Sequence, residues 1–192
     1  MAYYPIFLEL ENRACLIVGG GEVAYRKAAM LVSCGAKVRV VSPRLSGDLK
    51  RLLTKGKIRW LKHIFRLGDL NGIELVVAAT DEQLVNTQVS RECRRRGIWI
   101  NVVDQPKLCS FIVPSVIQRG RLTVAISTGG ASPALSKWIR KDIEHRYGAE
   151  FGRLVGMIAK ARPQVLARVK GVARRKALFE KALKAYFKVL GE

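Results

Sequence analysis

Along the first 113 residues, short apolar blocks alternate with longer stretches in which apolar residues recur at helical intervals. The first block, Ala14–Val18 (ACLIV), is apolar on both faces and therefore belongs at the centre of a sheet. Residues 23–34 have helical spacing, and Gly35 is placed to close that helix. Lys37–Val41 (KVRVV) reads as a second strand, stopped by Pro43. Ser46 supplies a capping oxygen for a helix ending near Lys55, Gly56 turns the chain, and Ile58–Leu61 makes a third strand. Residues 74–79 form a fourth. Thr80 and Asp81 then offer caps to a helix running through Arg96, Gly97 ends it, and residues 98–103 make a fifth strand. This alternation predicts an α/β fold: a Rossmann-like, doubly wound parallel sheet.

Beyond residue 113 the rhythm changes. The stretch SFIVPSVIQRGRLTVAIS predicts two strands joined by a turn at Arg119–Gly120. STGGASPALSKWIRKDIEHRYG predicts a glycine loop leading into a helix with Pro133 in its first turn. From Phe151 onward, Leu154, Met157, Ile158, Val165, Leu166 and Val169 recur at helical intervals between basic residues, so the tail is helical.

Gly19, Gly21 and Ala24 make G-x-G-x-x-A directly after a buried strand and directly before a helix. This is the setting of the dinucleotide fingerprint: the first glycine permits the tight turn, the second admits a pyrophosphate to the main chain, and the small third residue allows close helix–strand packing. An acid that grips the ribose diol normally follows ~20 residues later. Here the second strand runs into VVSPR, with Ser42 in that place and Arg44 beside it. Serine bonds a ribose without repelling a 2′-phosphate, and arginine attracts one, so the residues alone leave NAD against NADP open.

Composition adds one strong fact. The chain of 192 residues carries 35 Lys and Arg against 15 Asp and Glu, a net charge of +20. From Phe151 to Glu192 there are eleven Lys or Arg and two Glu. A polyanionic partner or a surface that tolerates the charge is implied, and nucleic acid, membrane and acidic small molecules are the partner classes to weigh. No apolar run reaches the ~20 residues of a membrane span and no secretory leader is legible, so the expectation is a cytoplasmic protein with no membrane partner. Cys15, Cys34, Cys93 and Cys109 lie far apart with no C-x-x-C, and the two histidines are His63 and His145. Buried free thiols and no protein-held metal are expected.

PIFLEL, CLIVGGGEVAYRKA, AATDEQLVN, NVVDQPKLCSFIVPS and VAISTGGASPAL, taken together and in order, resemble the precorrin-2 dehydrogenase / sirohydrochlorin ferrochelatase family, the N-terminal module of siroheme synthases. The resemblance implies an NAD-binding Rossmann domain (1–113), a dimerisation region (114–150) and a basic C-terminal helical domain (151–192), assembled as a homodimer. It implies oxidation of precorrin-2 to sirohydrochlorin with NAD⁺ as acceptor, followed in some members by ferrous iron insertion to give siroheme. Gly19, Gly21, Glu22, Val23, Ser42, Pro43, Arg44 and Thr80 are the implied cofactor-binding residues, and Asp104 matches the catalytic aspartate. Thr128, Gly129, Gly130 and Ser132 are the implied substrate-binding residues. The sequence stops short of the uroporphyrinogen methyltransferase domain fused in some relatives, so the expectation is a protein that does not make precorrin-2 itself.

The residues carry this reading independently in part. Asp104 follows the fifth strand, where ligands of open α/β sheets gather, and a carboxylate there can accept the proton lost when a reduced tetrapyrrole gives up hydride. D-Q-P is equally ordinary turn chemistry. STGGASP is either an anion site at a helix N-terminus or a structural turn. The competing function is an NAD-sensing, nucleic-acid-binding regulator. Against it, Phe151, Phe179, Tyr186 and Phe187 fit helical core spacing better than a stacking platform, and no nucleic-acid partner is expected.

Overall fold

In the computed structural model, which describes residues 3–190, the chain forms two compact units, one up to Val113 and one from Pro114. The first holds a five-stranded sheet in the order β3-β2-β1-β4-β5, made by β1 (Ala14–Val18), β2 (Lys37–Val41), β3 (Ile58–Leu61), β4 (Leu75–Ala78) and β5 (Trp99–Val102). Every neighbouring pair is parallel, and the order reverses between β1 and β4, which makes the crevice beyond their carboxyl ends the ligand position of such folds.

Three helices complete the unit: α1 (Glu22–Ser33), α2 (Gly47–Thr54) and α3 (Gln83–Arg96). Because strand residues alternate faces, β1 feeds two cores. Cys15 and Ile17 pack with Val38, Val40, Leu75 and Val77 under Ala24 and Ala28 of α1 and Leu49 of α2. Leu16 and Val18 pack with Val76, Ala78, Ile100 and Val102 against Val89 and Cys93 of α3. Ser46 caps α2 as expected, accepting from Leu49 N–H at 3.4 Å, and Gly97 ends α3 with φ +70°. The start of α3 differs from expectation: the cap residue is Glu82, whose side chain makes no capping bond, and Thr80 Oγ1 instead accepts from Glu82 N–H at 3.2 Å. Between β3 and β4 the chain makes a 3-10 turn, Leu67–Leu70, whose first N–H, on Arg66, is held by Asp69.

One pairing runs against electrostatics. Arg39 of β2 stands opposite Arg59 of edge strand β3. With Lys37 and Lys57, these residues line a cleft of about 510 Å³ at the amino ends of the two strands.

In the second unit, β6 (Ser115–Arg119) and β7 (Leu122–Ile126) form an antiparallel hairpin that turns at Gly120 with φ +57°. The helices α4 (Pro133–Arg146), α5 (Ala149–Arg168) and α6 (Val172–Leu190) follow. Gly152 lets α5 lie against the Arg119 carbonyl, where a side chain would collide. Phe151 touches Tyr147 and Phe187, and Phe187 touches Tyr186, so the tail's aromatics knit α4, α5 and α6 into a core. Arg175 reaches back to cap α5, donating to the carbonyls of Val169 and Leu166 at 2.7 and 3.0 Å.

Candidate active site

The glycine turn after β1 is shaped by three different constraints. Gly19 has φ +124°, donates to the Val41 carbonyl at 3.0 Å, and lies so close to the Ala79 carbonyl that no side chain fits. The Gly20 carbonyl accepts from Ser46 N–H at 2.7 Å, and a side chain at Gly20 would meet the Arg44 carbonyl and Ser42 Oγ. Around Gly21, by contrast, space is open.

Gly21 is the N-cap of α1, and no side chain caps the helix. The first helical bond is Tyr25 N–H to the Gly21 carbonyl at 3.0 Å, so the N–H groups of Glu22, Val23 and Ala24 precede it and point outward. Unused donors, a positive dipole end and open space beside a glycine are what a pyrophosphate needs, so the turn fits a dinucleotide.

The end of β2 is held rigidly. Ser42 is 5 % exposed and donates its hydroxyl proton to the Arg44 carbonyl at 2.5 Å, while Trp60 Nε1 donates to the Ser42 carbonyl at 2.9 Å. Pro43 and Arg44 are exposed beyond it. Lys62 caps the Trp60 ring, its Nζ 5.5 Å from the centroid.

At the end of β4, Thr80 borders the turn: its N–H lies 3.2 Å from where a Gly19 side chain would begin. Its carbonyl accepts from Asn86 Nδ2 at 2.9 Å. Asn86 is 2 % exposed, and its Oδ1 is buried with no partner.

Asp104 follows β5 in a turn closed by Gln105 N–H to the Val102 carbonyl at 3.3 Å. Its φ of +57° is the conformation a type II turn needs at its third residue, and one aspartate tolerates. The carboxylate is exposed and takes no hydrogen bond or ion pair among the described residues. Its electrostatic neighbour is Lys27 of α1, whose ammonium is pushed below its ordinary pKa by burial first and by Arg26 second, with Asp104 and Cys109 opposing. Lys27 was not singled out from the sequence, although it sits three residues after Ala24 and four before Leu31, both buried, as a charge on the apolar stripe of α1. Trp60 and Asn86 were missed as well. Asn86 closes the AATDEQLVN stretch, but nothing local marks it as the clamp on Thr80.

In the second unit, the expected substrate loop is tied mostly to itself. Thr128 Oγ1 donates to the Ser132 carbonyl at 3.1 Å, accepts from Ser132 N–H at 3.0 Å and lies 3.2 Å from Ser136 Oγ. Ser132 Oγ caps α4 by accepting from Leu135 N–H at 3.1 Å. Gly129 and Gly130 are exposed, with positive φ and open space beside them, so they are the part of the loop that offers main chain to a ligand.

Cys15 and Cys93 are fully buried, and burial pushes their thiols up to about 11 and about 12. Cys34 departs from the expectation of a buried thiol: it is exposed, because it is the residue on which α1 ends. Among the described residues, no three His, Cys, Asp or Glu side chains are grouped so as to hold a metal ion, and no helix is long and apolar enough to cross a membrane.

A parallel sheet with a glycine turn and an uncapped helix at its switch point defines a dinucleotide-binding protein of the Rossmann class. Residues 6–115 match the family model described as putative NAD(P)-binding, and residues 119–146 match the model of the sirohaem biosynthesis protein central region. The chain belongs to this NAD(P)-binding family.

It is 44 % identical over 192 residues to a siroheme synthase of Methylobacillus flagellatus, all of this chain and 40 % of that protein. A siroheme synthase of Thioalkalivibrio sulfidiphilus is 43 % identical over 95 % of this chain and 37 % of its own length. The chain thus spans about two fifths of these curated relatives. Among solved structures, SirC, a precorrin-2 dehydrogenase, superposes with a TM-score of 0.80 at 28 % identity, covering 93 % of this chain and 88 % of that one.

Proposed function

We propose that this chain oxidises precorrin-2 to sirohydrochlorin with NAD⁺ as acceptor. The observation that carries the reading is the likeness to a precorrin-2 dehydrogenase through both units, at 93 % coverage. In this reading residues 1–113 bind the dinucleotide, 114–150 dimerise and 151–192 supply cations for a polycarboxylate substrate. Exposed Leu135 and Trp138 on α4, the latter 66 % exposed, support a second copy covering that helix.

The main chain at Gly21, Glu22 and Val23 holds the pyrophosphate, with Gly19 and Thr80 shaping the floor. Bound there, NAD⁺ would supply the hydride acceptor. Asp104 accepts the proton that the oxidised tetrapyrrole must lose, as a general base in an exposed turn beyond β5. Lys27, half-buried, is its electrostatic neighbour on α1. The open main chain at Gly129 and Gly130 takes a substrate carboxylate, and the Thr128 and Ser132 hydroxyls keep that loop in shape. A nucleic-acid-binding regulator finds no support here, since Phe151, Tyr186 and Phe187 of the tail are spent on packing its helices.

The test is anaerobic incubation with enzymatically made precorrin-2 and NAD⁺, following NADH together with the tetrapyrrole spectrum. Stoichiometric NADH and sirohydrochlorin, lost in Asp104→Ala, is the expected result. A folded protein that binds NAD⁺ and leaves precorrin-2 unchanged would sink the reading.

A further inference from the structure

The amino ends of β2 and β3, at the opposite end of the sheet from the glycine turn, carry a second concentration of charge. Strand residues alternate faces, so Arg39 stands with Val41, and Arg59 with Leu61, on the face that holds the Leu16 and Val18 core. Lys37 and Lys57 precede them by two residues, and all four line the cleft at these strand ends. No acid lines it. The carboxylates that come near are Glu11, which lies against Gly35 at one end, and Glu74, which is ion-paired with Arg13 at 2.8 Å.

The cations are largely unused. Lys37, Lys57 and Arg59 are exposed and make no side-chain hydrogen bond or ion pair among the described residues. Arg39 is half-buried, and its side-chain bond goes to the Asn71 carbonyl at 3.4 Å. Part of the charge has a local use: α1 and α2 end on Cys34 and Lys55, and Lys37 and Lys57 follow closely, where a cation offsets the negative end of a helix. Arg39 and Arg59 lie further along the strands, beyond the reach of that account. Facing each other in register, they cost the native pairing stability, and no acid lies between them to offset it.

Four cations on rungs about 5 Å apart across the strands and about 7 Å apart along them make a small, dense field. The carboxylates of a tetrapyrrole radiate around a wide ring, whereas successive phosphates of a chain sit side by side. Each guanidinium fork takes two phosphate oxygens at once. We infer that this cleft is a second anion site, separate from the dinucleotide turn, which binds a polyphosphate chain through Arg39 and Arg59 while Lys37 and Lys57 neutralise its outer phosphates.

Calorimetric titration of inorganic triphosphate into the full chain, with NAD⁺ present in excess, tests this. Wild type is compared with the double variant Arg39→Gln, Arg59→Gln and with Lys181→Gln, Lys184→Gln, which removes the same charge from exposed positions of α6. The expected result is one site in wild type, weakened by about tenfold or more in the arginine variant and by less than about twofold in the lysine variant. The arginine variant should melt at or above the wild-type Tm, since a repulsive pair is gone, and triphosphate should raise the Tm of wild type alone. Arg59→Gln by itself, on the edge strand, should weaken binding by about threefold and carries the test if the double variant does not fold. ATP titrated in the same way separates two sources of the chain: affinity no better than that of triphosphate points to free polyphosphate, and tighter binding to a nucleoside triphosphate. Absence of triphosphate binding overturns the inference. Equal weakening in the two double variants overturns it as well, because net charge alone would then be at work. Binding that vanishes when NAD⁺ is added also overturns it, since the anion would then occupy the pyrophosphate turn.

Discussion

Gly19 and Ala79 meet where the chain leaves two neighbouring parallel strands, and the Ala79 carbonyl fills the volume a side chain on Gly19 would need. The φ of +124° at Gly19 adds backbone strain to that collision. Gly19→Ala should cost about 3 kcal/mol or more and lower Tm by roughly 10 °C in a thermal melt.

Gly21 lies two residues on and answers to a different constraint. Its φ of −85° suits any residue, and no protein atom crowds it. Gly21→Ala should leave Tm within about 2 °C of wild type while weakening dinucleotide binding by about tenfold, because the added methyl stands in the space left for the pyrophosphate. Calorimetry beside the melt separates the two effects.

Asp104→Asn removes the charge and keeps a side chain that tolerates positive φ. Turnover of precorrin-2 should fall by roughly 10²- to 10⁴-fold, with NAD⁺ affinity and Tm near wild type. A parallel loss of stability would mean that the carboxylate serves the turn instead.

Glu92 accepts from Arg95 at 2.7 and 3.0 Å and from Arg96 at 2.6 Å, and these bonds hold its carboxyl down at about 2 from 4.5. Below pH 4.5 the unfolded chain takes up this proton and the folded one does not, so stability should decline from about pH 4.5 towards pH 2. Glu92→Gln should flatten that part of a Tm-against-pH curve and lower Tm at neutral pH.

Thr128→Val should cost about 2 kcal/mol in urea denaturation, since it leaves Ser132 N–H without its partner, while the buried Ser136 hydroxyl keeps its bond to the Ser132 carbonyl. Thr128→Ser should recover most of it.

Brief treatment of the native chain with iodoacetamide should modify Cys34 first. It is the exposed thiol of the four, and Cys15 and Cys93 are shielded by burial that also suppresses their thiolates. Peptide mapping gives the order, and rapid labelling of Cys15 or Cys93 in native protein would contradict the packing.

The strands were legible because their signals are local. Ala14–Val18 is apolar without a break, and Lys37–Val41 ends two residues before a proline. Gly97 and Ser46 announced a helix end and a helix start by chemistry contained within a turn. What escaped was fixed by partners far along the chain. That the hydroxyl of Ser42 is used up inside depends on how the loop at Arg44 folds over Gly20, and its carbonyl is claimed by Trp60, eighteen residues away. Asp81 looked as good a cap as Ser46, yet α3 begins at Gln83 behind Glu82. Cys34 looked like an ordinary core residue until the end of α1 turned it out. Asp104 was visible as a turn residue, whereas the charge beside it, Lys27, comes from a helix 77 positions earlier in sequence.

The facing arginines of β2 and β3 have a consequence for the chain before it is fully assembled. β3 is the outermost strand on its side of the sheet, with backbone groups on its free side that invite a strand from another molecule. Arg59, Lys57 and their neighbours Arg39 and Lys37 make that border repel any copy of itself, at a cost of up to about 1 kcal/mol in the native pairing. Part of the large positive charge thus acts as insulation between nascent chains, keeping an open sheet from growing into a shared one.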